Sequence, residues 1–163
     1  MKKTLSRSIC GALLSALMLV SGLYAADHSN GRKARHNRIV GVWDVEVTVL
    51  DCSTGGQLTG FRGLHKYERG GTAQVVPSTN PANLSAHVGI WRYVGKNQYE
   101  LKFKMFRFDG SGNNIGWAVV KNDVQINDAA TEYAGSGQAD VFDSSGNSVG
   151  KSCPTFVGTR FTK

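Results

Sequence analysis

The sequence predicts an all-β protein, an eight-stranded antiparallel up-and-down β-barrel with little or no helix. Three observations carry that prediction. From Ile39 onward, short stretches alternate apolar and polar residues, and no window sustains an i, i+3, i+4 apolar pattern. Clusters of Gly, Asn, Asp and Ser break these stretches at short intervals, so neighbouring strands pair as antiparallel hairpins. Cys52 ends the first stretch and Cys153 begins the last, where a closed meander brings its two edges together.

Residues 1–25 read as a signal peptide. Lys2, Lys3 and Arg7 form a positive start, Ile9 to Leu23 an apolar run of about fifteen residues, and Ala25-Ala26 a small-residue cleavage site. The run falls short of a membrane span, the alternative reading being an uncleaved anchor. The expectation is export to the periplasm or the extracellular space. Residues 26–38 follow as a flexible basic arm, with almost nothing apolar to bury. Its cations over 32–38 could touch an anionic surface weakly; a solvated leader is the simpler account. His28 and His36 in this arm make no metal site.

Charge locates itself in these two segments. The 163-residue chain has a formal net charge of +7. Residues 1–25 contribute +3 and residues 26–38 another +3, while the rest holds twelve basic and eleven acidic residues. A nucleic-acid-binding body needs clustered cations on the folded surface, and residues 39–163, a single domain, have no such excess. Cys10 leaves with the signal peptide, so Cys52 and Cys153 remain as an even pair in an oxidising compartment. They read as one disulfide, with two free buried thiols as the alternative.

The first strand runs from Val42 to Leu50, with Trp43, Val45, Val47 and Val49 on one face. Gly63 to Arg69 and Thr72 to Pro77 are shorter strands separated by Gly70-Gly71, and a loop with Pro77 and Pro81 follows. His87 to Val94 and Tyr99 to Asp109 are divided by Gly95-Lys96-Asn97. Gly116 to Ile126, Tyr133 to Asp143 and a last strand ending near Thr162 complete the eight. Paired residues of an antiparallel ladder keep a constant index sum. Cys52 with Cys153 and Trp43 with Arg160 satisfy nearly the same sum, so one register accommodates both contacts. A bridge at one end and a Trp–Arg stack at the other is expected, with Pro154 weakening the ladder locally because it donates no hydrogen bond.

Gly41-Val42-Trp43 at the head of the first strand, with Arg160 near the end of the last, resembles the calycin superfamily. Its lipocalins keep a Gly-x-Trp and stack a late Arg across that Trp at the closed end. The resemblance implies structural roles for Gly41, Trp43 and Arg160, the indole plugging the floor under a cation–π contact of roughly 0.5–2 kcal/mol. Thr131-Glu132-Tyr133 is similar to the lipocalin Thr-Asp-Tyr motif. Gly116-Trp117-Ala118-Val119 and the closing Val157 to Lys163 resemble strands of the avidin family. Val45 and Arg160 stand where that family's biotin-binding groups would be, so the second likeness is one of scaffold.

No nucleophile motif, phosphate-cradling loop, haem-attachment motif or metal-ligand spacing appears, so no catalytic residue, metal or cofactor is implied. The candidate ligand-binding residues are His65 and Tyr67 on one face of the second strand and His87, Trp91 and Tyr93 on one face of the fourth, with Phe103 on the fifth. Pointing inward, they would make an aromatic lumen with polar handles, suited to a small apolar or amphipathic molecule. Pointing outward, they would be exposed, and inward aromatics can also simply fill a barrel of this size. On the fifth strand, Leu101, Phe103 and Met105 share a face while Phe106 and Phe108 take the other; a bulge near Met105-Phe106 would switch the phase. Without it, an apolar stripe faces outward and implies a partner or oligomer. The functional expectation is a non-enzymatic binding barrel. Its alternatives are an interaction module, such as a hydrolase inhibitor or envelope component using loops 53–62 and 78–86, and a barrel cyclase or isomerase.

Overall fold

The computed structural model describes residues 36–162; the signal peptide expected over 1–25 and residues 26–35 of the expected arm lie outside the described residues. Eight strands follow in order: β1 Gly41–Leu50, β2 Gln57–Tyr67, β3 Thr72–Pro77, β4 His87–Gly95, β5 Gln98–Phe108, β6 Asn114–Ile126, β7 Glu132–Phe142 and β8 Ser148–Arg160. Each pairs antiparallel with the next and β1 pairs with β8, so the meander closes into a barrel. Trp43 stands opposite Arg160 and Leu50 opposite Cys153, within one uninterrupted register. Cys52, just beyond β1, lies at disulfide distance from Cys153, with 5.1 Å between their Cα atoms.

The two ends differ in construction. At one, Ile39, Trp43, Tyr67, Tyr99, Ile126 and Tyr133 are almost wholly buried and fill the lumen. Trp43 Nε1 donates to the Ile39 carbonyl at 2.8 Å, and the Arg160 guanidinium lies over the indole at 4.2 Å. The same guanidinium donates to the carbonyls of Ala130 and Val40 and to that of Arg38, tying the entering chain, the β6–β7 turn and β8 together. The last residues of the expected arm are thus engaged: Arg38 donates to Asn97 at 3.0 Å, and the His36 ring lies 5.5 Å from Trp91 and 5.4 Å from Tyr93.

The other end carries the longer loops and the cysteine pair. The β5–β6 and β7–β8 connections use one device twice. Asp109 and Asp143 each accept backbone N–H groups two and four residues on, and the amide of Asn113 or Asn147 caps the second carboxylate oxygen. These contacts hold both carboxyls below the usual carboxylate range.

Inside, three strand glycines are floors for aromatic rings of the neighbouring strand. A Cβ on Gly89, Gly135 or Gly158 would meet Phe103, Phe156 or Tyr133 at 2.7, 2.5 and 2.5 Å. Large rings therefore pack close against the wall, where side chains at those positions would exclude them.

Two sequence expectations are corrected. β2 begins at Gln57 rather than Gly63, so the loop expected over 53–62 shrinks to 51–56. Its first four residues, Gln57 to Gly60, are exposed on both faces, which masks the alternation. The phase-switching bulge, one of the two alternatives for the fifth strand, lies between Arg107 and Phe108 rather than near Met105-Phe106. Phe106 consequently faces outward, 46% exposed. The outward aromatics partly cover one another: Trp117 stacks on Phe142 at 5.7 Å, and Lys104 Nζ sits 4.8 Å over Trp117 and 5.6 Å over Phe106. Cation–π contacts of this kind cover part of the stripe from within the chain.

Candidate functional site

Above the filled closed end the lumen holds a cavity of about 100 Å³. Buried Val47, Val75, Phe103, Val120 and Phe156 line it, and half-buried Val49, Phe61 and Met105 stand on the side of the longer loops. Ser152 and Pro154, on either side of Cys153, line it too, so the cysteine pair sits beside its edge. The inward parity follows from the period-two alternation: His65 is opposite Val75, and Val75 opposite His87, placing three consecutive strands' side chains on one level.

Besides half-buried Ser152, three buried polar side chains interrupt this apolar lining. His65, His87 and Asn122 are 4%, 6% and 8% exposed, and His65 Nε2, His87 Nε2 and Asn122 Oδ1 have no hydrogen-bond partner among the described residues. Buried polar atoms are nearly always paired, so three orphans around one cavity are unusual. Burial pushes His65 down to about 3, with His87 adding to the effect, and His87 down to about 4. Both imidazoles are therefore neutral near pH 7.

Beneath the cavity, His65 Nδ1 lies 3.0 Å from the Tyr133 hydroxyl and 3.2 Å from that of Tyr67, and the two hydroxyls are 3.4 Å apart. Desolvation raises both phenols above their ordinary range. Asn122 owes its position to Gly137, its partner on β7: a Cβ there would lie 2.1 Å from Asn122 Oδ1 and 2.0 Å from the Lys121 carbonyl.

The structure brings His65, His87 and Phe103 together on the cavity. Tyr67 is buried and supports His65 from below without lining the cavity; Trp91 and Tyr93 stand further down, beside His36 and Tyr99. Gly41, Trp43 and Arg160 occupy the closed end. Sequence reasoning missed Asn122, although the signal was present. In β6, Ala118, Val120, Val124 and Ile126 hold the inward face, and Asn122 is the polar residue at that parity. Among the described residues, no three His, Cys, Asp or Glu side chains group as metal ligands, and no helix is long and apolar enough to cross a membrane. Comparison of the chain with protein-family models, curated proteins and solved structures finds no match. What the fold and the site define is a closed eight-stranded antiparallel barrel, consistent with a calycin-like fold, with a small apolar chamber above a filled floor.

Proposed function

We propose that this is an exported, lipocalin-like binding barrel of the calycin kind that holds a small, mainly apolar molecule in its lumen without transforming it. One observation carries the reading: an apolar cavity lined by three buried polar side chains, each with an unpaired atom. A buried unpaired donor or acceptor costs roughly 1–3 kcal/mol, and a ligand that pairs with it recovers that cost on binding. The volume narrows the ligand: drug-sized pockets span about 300–1,000 Å³, and about 100 Å³ suits a single ring or less. Export is supported by the basic start and apolar run of residues 1–25 and by the cysteine pair at disulfide distance.

The cyclase or isomerase reading gains one feature, titratable groups in hydrogen-bond reach at His65, Tyr67 and Tyr133. Their tuning opposes it. An acid–base pair works best with pKa values near the operating pH, whereas here the imidazole is pushed down and the phenols up.

The test is native mass spectrometry of protein purified from its own host, before and after organic extraction, followed by small-ligand titration of the extracted protein. A released small molecule whose rebinding is lost in His65→Leu or Asn122→Leu supports the reading. Absence of any bound molecule together with absence of any lumen ligand overturns it.

A further inference from the structure

We infer that the lumen selects a neutral, single-ring compound carrying a hydrogen-bond acceptor, most simply a carbonyl, aimed at His65 Nε2. This rests on the binding reading above and sharpens it to a chemical class.

Proton counting around the His65 base supplies the polarity. Among the described residues, the partners of the Tyr67 and Tyr133 hydroxyls are each other and His65 Nδ1. Each hydroxyl has one proton to place. If Nδ1 offers its lone pair, one phenol donates to the other, the second donates to Nδ1, and every proton in the triangle is used. If Nδ1 carries the proton instead, one phenol is left with no acceptor in a fully desolvated position. The first arrangement is favoured because a buried unmade bond is expensive. A neutral imidazole protonated on one nitrogen is bare on the other, so Nε2 carries the hydrogen and is a donor. That donor is one of the three atoms at the cavity without a partner among the described residues.

Neutrality of the ligand follows from the lining. Among the described residues that form the cavity, none is Lys, Arg, Asp or Glu. Charging His65 to meet an anion would put a second proton on Nδ1 and strand a phenol proton, so the triangle resists it. A carboxylate would then be desolvated without a counter-charge, which is costly. The Phe103 and Phe156 rings, packed against Gly89 and Gly135, favour a ring as the apolar part.

The experiment has two arms on the full mature chain. Long-range ¹H–¹⁵N correlation spectra at pH 7 report which His65 nitrogen is protonated; the Nε2–H tautomer is expected, and Nδ1–H overturns the inference. Titration with cyclohexanone, methylenecyclohexane and cyclohexanecarboxylate then compares an acceptor, its apolar isostere and an anion of similar ring size. Cyclohexanone is expected to bind about tenfold or more tighter than the other two. The Tyr67→Phe/Tyr133→Phe double variant, which frees Nδ1, should lose most of that preference. Equal affinities for ketone and isostere, or tighter binding of the carboxylate, overturn the inference while the binding reading stands. If no probe binds and extraction releases nothing, the chamber holds only water and both readings fall.

Discussion

A Cβ placed on Gly41 would lie 2.7 Å from Nη1 of Arg160, and Gly41 itself sits at φ +135°, where L side chains rarely settle. The glycine of the Gly-x-Trp segment is thus dictated by the arginine at the far end of the chain. Arg160 cannot step aside cheaply, because its guanidinium serves three backbone carbonyls while it stacks on Trp43. Gly41→Ala is expected to destabilise the barrel by about 2 kcal/mol or more, combining backbone strain with the clash. In an Arg160→Ala background the same substitution should cost less, since only the strain remains. Urea unfolding of the four proteins of this cycle measures the coupling; strict additivity would contradict the contact.

Arg160→Lys keeps the charge but lacks the planar fork that reaches several carbonyls at once. Leaving part of that set unpaired is expected to cost about 2–3 kcal/mol. The near-ultraviolet circular dichroism of the buried Trp43 should change with it. A variant as stable as the parent would show that the stack alone holds the closed end.

The Cys52–Cys153 pair is separated by 101 residues and lies next to the cavity-lining Ser152 and Pro154. A bridge closing so long a loop restricts the unfolded chain strongly, and its loss is expected to cost roughly 2–5 kcal/mol. Reductant should lower the Tm of the parent protein to that of Cys52→Ala/Cys153→Ala and leave the variant's Tm unchanged. Indifference of the parent to reductant would mean that the thiols are free.

How much of this was legible in the sequence depended on which physical signal each feature leaves. Closure was readable because two constraints far apart in sequence, Trp43 with Arg160 and Cys52 with Cys153, fit nearly one antiparallel register. The inward parity of His65, His87 and Trp91 left no decisive sequence signal, because both faces of β2 and β4 carry apolar residues: Leu64, Val88 and Ile90 are exposed on the outside. The start of β2 was invisible, since Gln57 to Gly60 have no buried face to alternate with. The cavity's size was equally invisible, because it is set by rings from β5, β7 and β8 lying over glycines of adjacent strands. Asn122 was readable in principle, as a polar residue at an inward position, and only the structure shows that its Oδ1 lacks a partner.

Gly137 holds that Asn122 geometry open. Its absent side chain leaves room for both the Asn122 amide and the Lys121 carbonyl, and the latter is backbone that cannot swing away. Gly137→Ala is expected to cost roughly 1–3 kcal/mol, as overpacking does. It should also weaken lumen binding by displacing Asn122, whereas Gly150→Ala in the neighbouring strand, where a Cβ meets nothing within 4 Å, should do neither. Thermal denaturation and ligand titration of the two variants separate the effects.

The two buried histidines should make stability fall on mild acidification. In the unfolded chain both titrate near 6.5, whereas burial lowers His65 to about 3 and His87 to about 4 in the fold. Below pH 6.5 the unfolded state therefore binds protons that the folded state refuses. Stability is full above that pH and declines as pH falls, His87 ceasing to contribute to the slope near pH 4 and His65 near pH 3. Well inside the window each histidine contributes up to about 1.4 kcal/mol per pH unit. The groups packed against His65 are Tyr67, Phe103, Tyr133 and Phe156, so apart from His87 no group that titrates near neutrality faces it. The exposed carboxylates Asp51, Glu68, Asp109 and Asp143 are also held low, so their own linkage, which sets in as pH approaches their unfolded values, adds to the slope at the acid end of the interval from about pH 4.5 to 6.5, while its upper part is carried by the histidines. Urea unfolding at half-unit steps across that interval should give a falling midpoint for the parent protein. His65→Gln/His87→Gln should be nearly flat over the upper part of the same interval, although less stable at pH 7 if Gln leaves the Tyr67–Tyr133 pair poorly matched. A parent midpoint that does not move between pH 6.5 and 4.5 would show that the imidazoles take up protons in the folded barrel, and with that the case for a neutral lumen would fail.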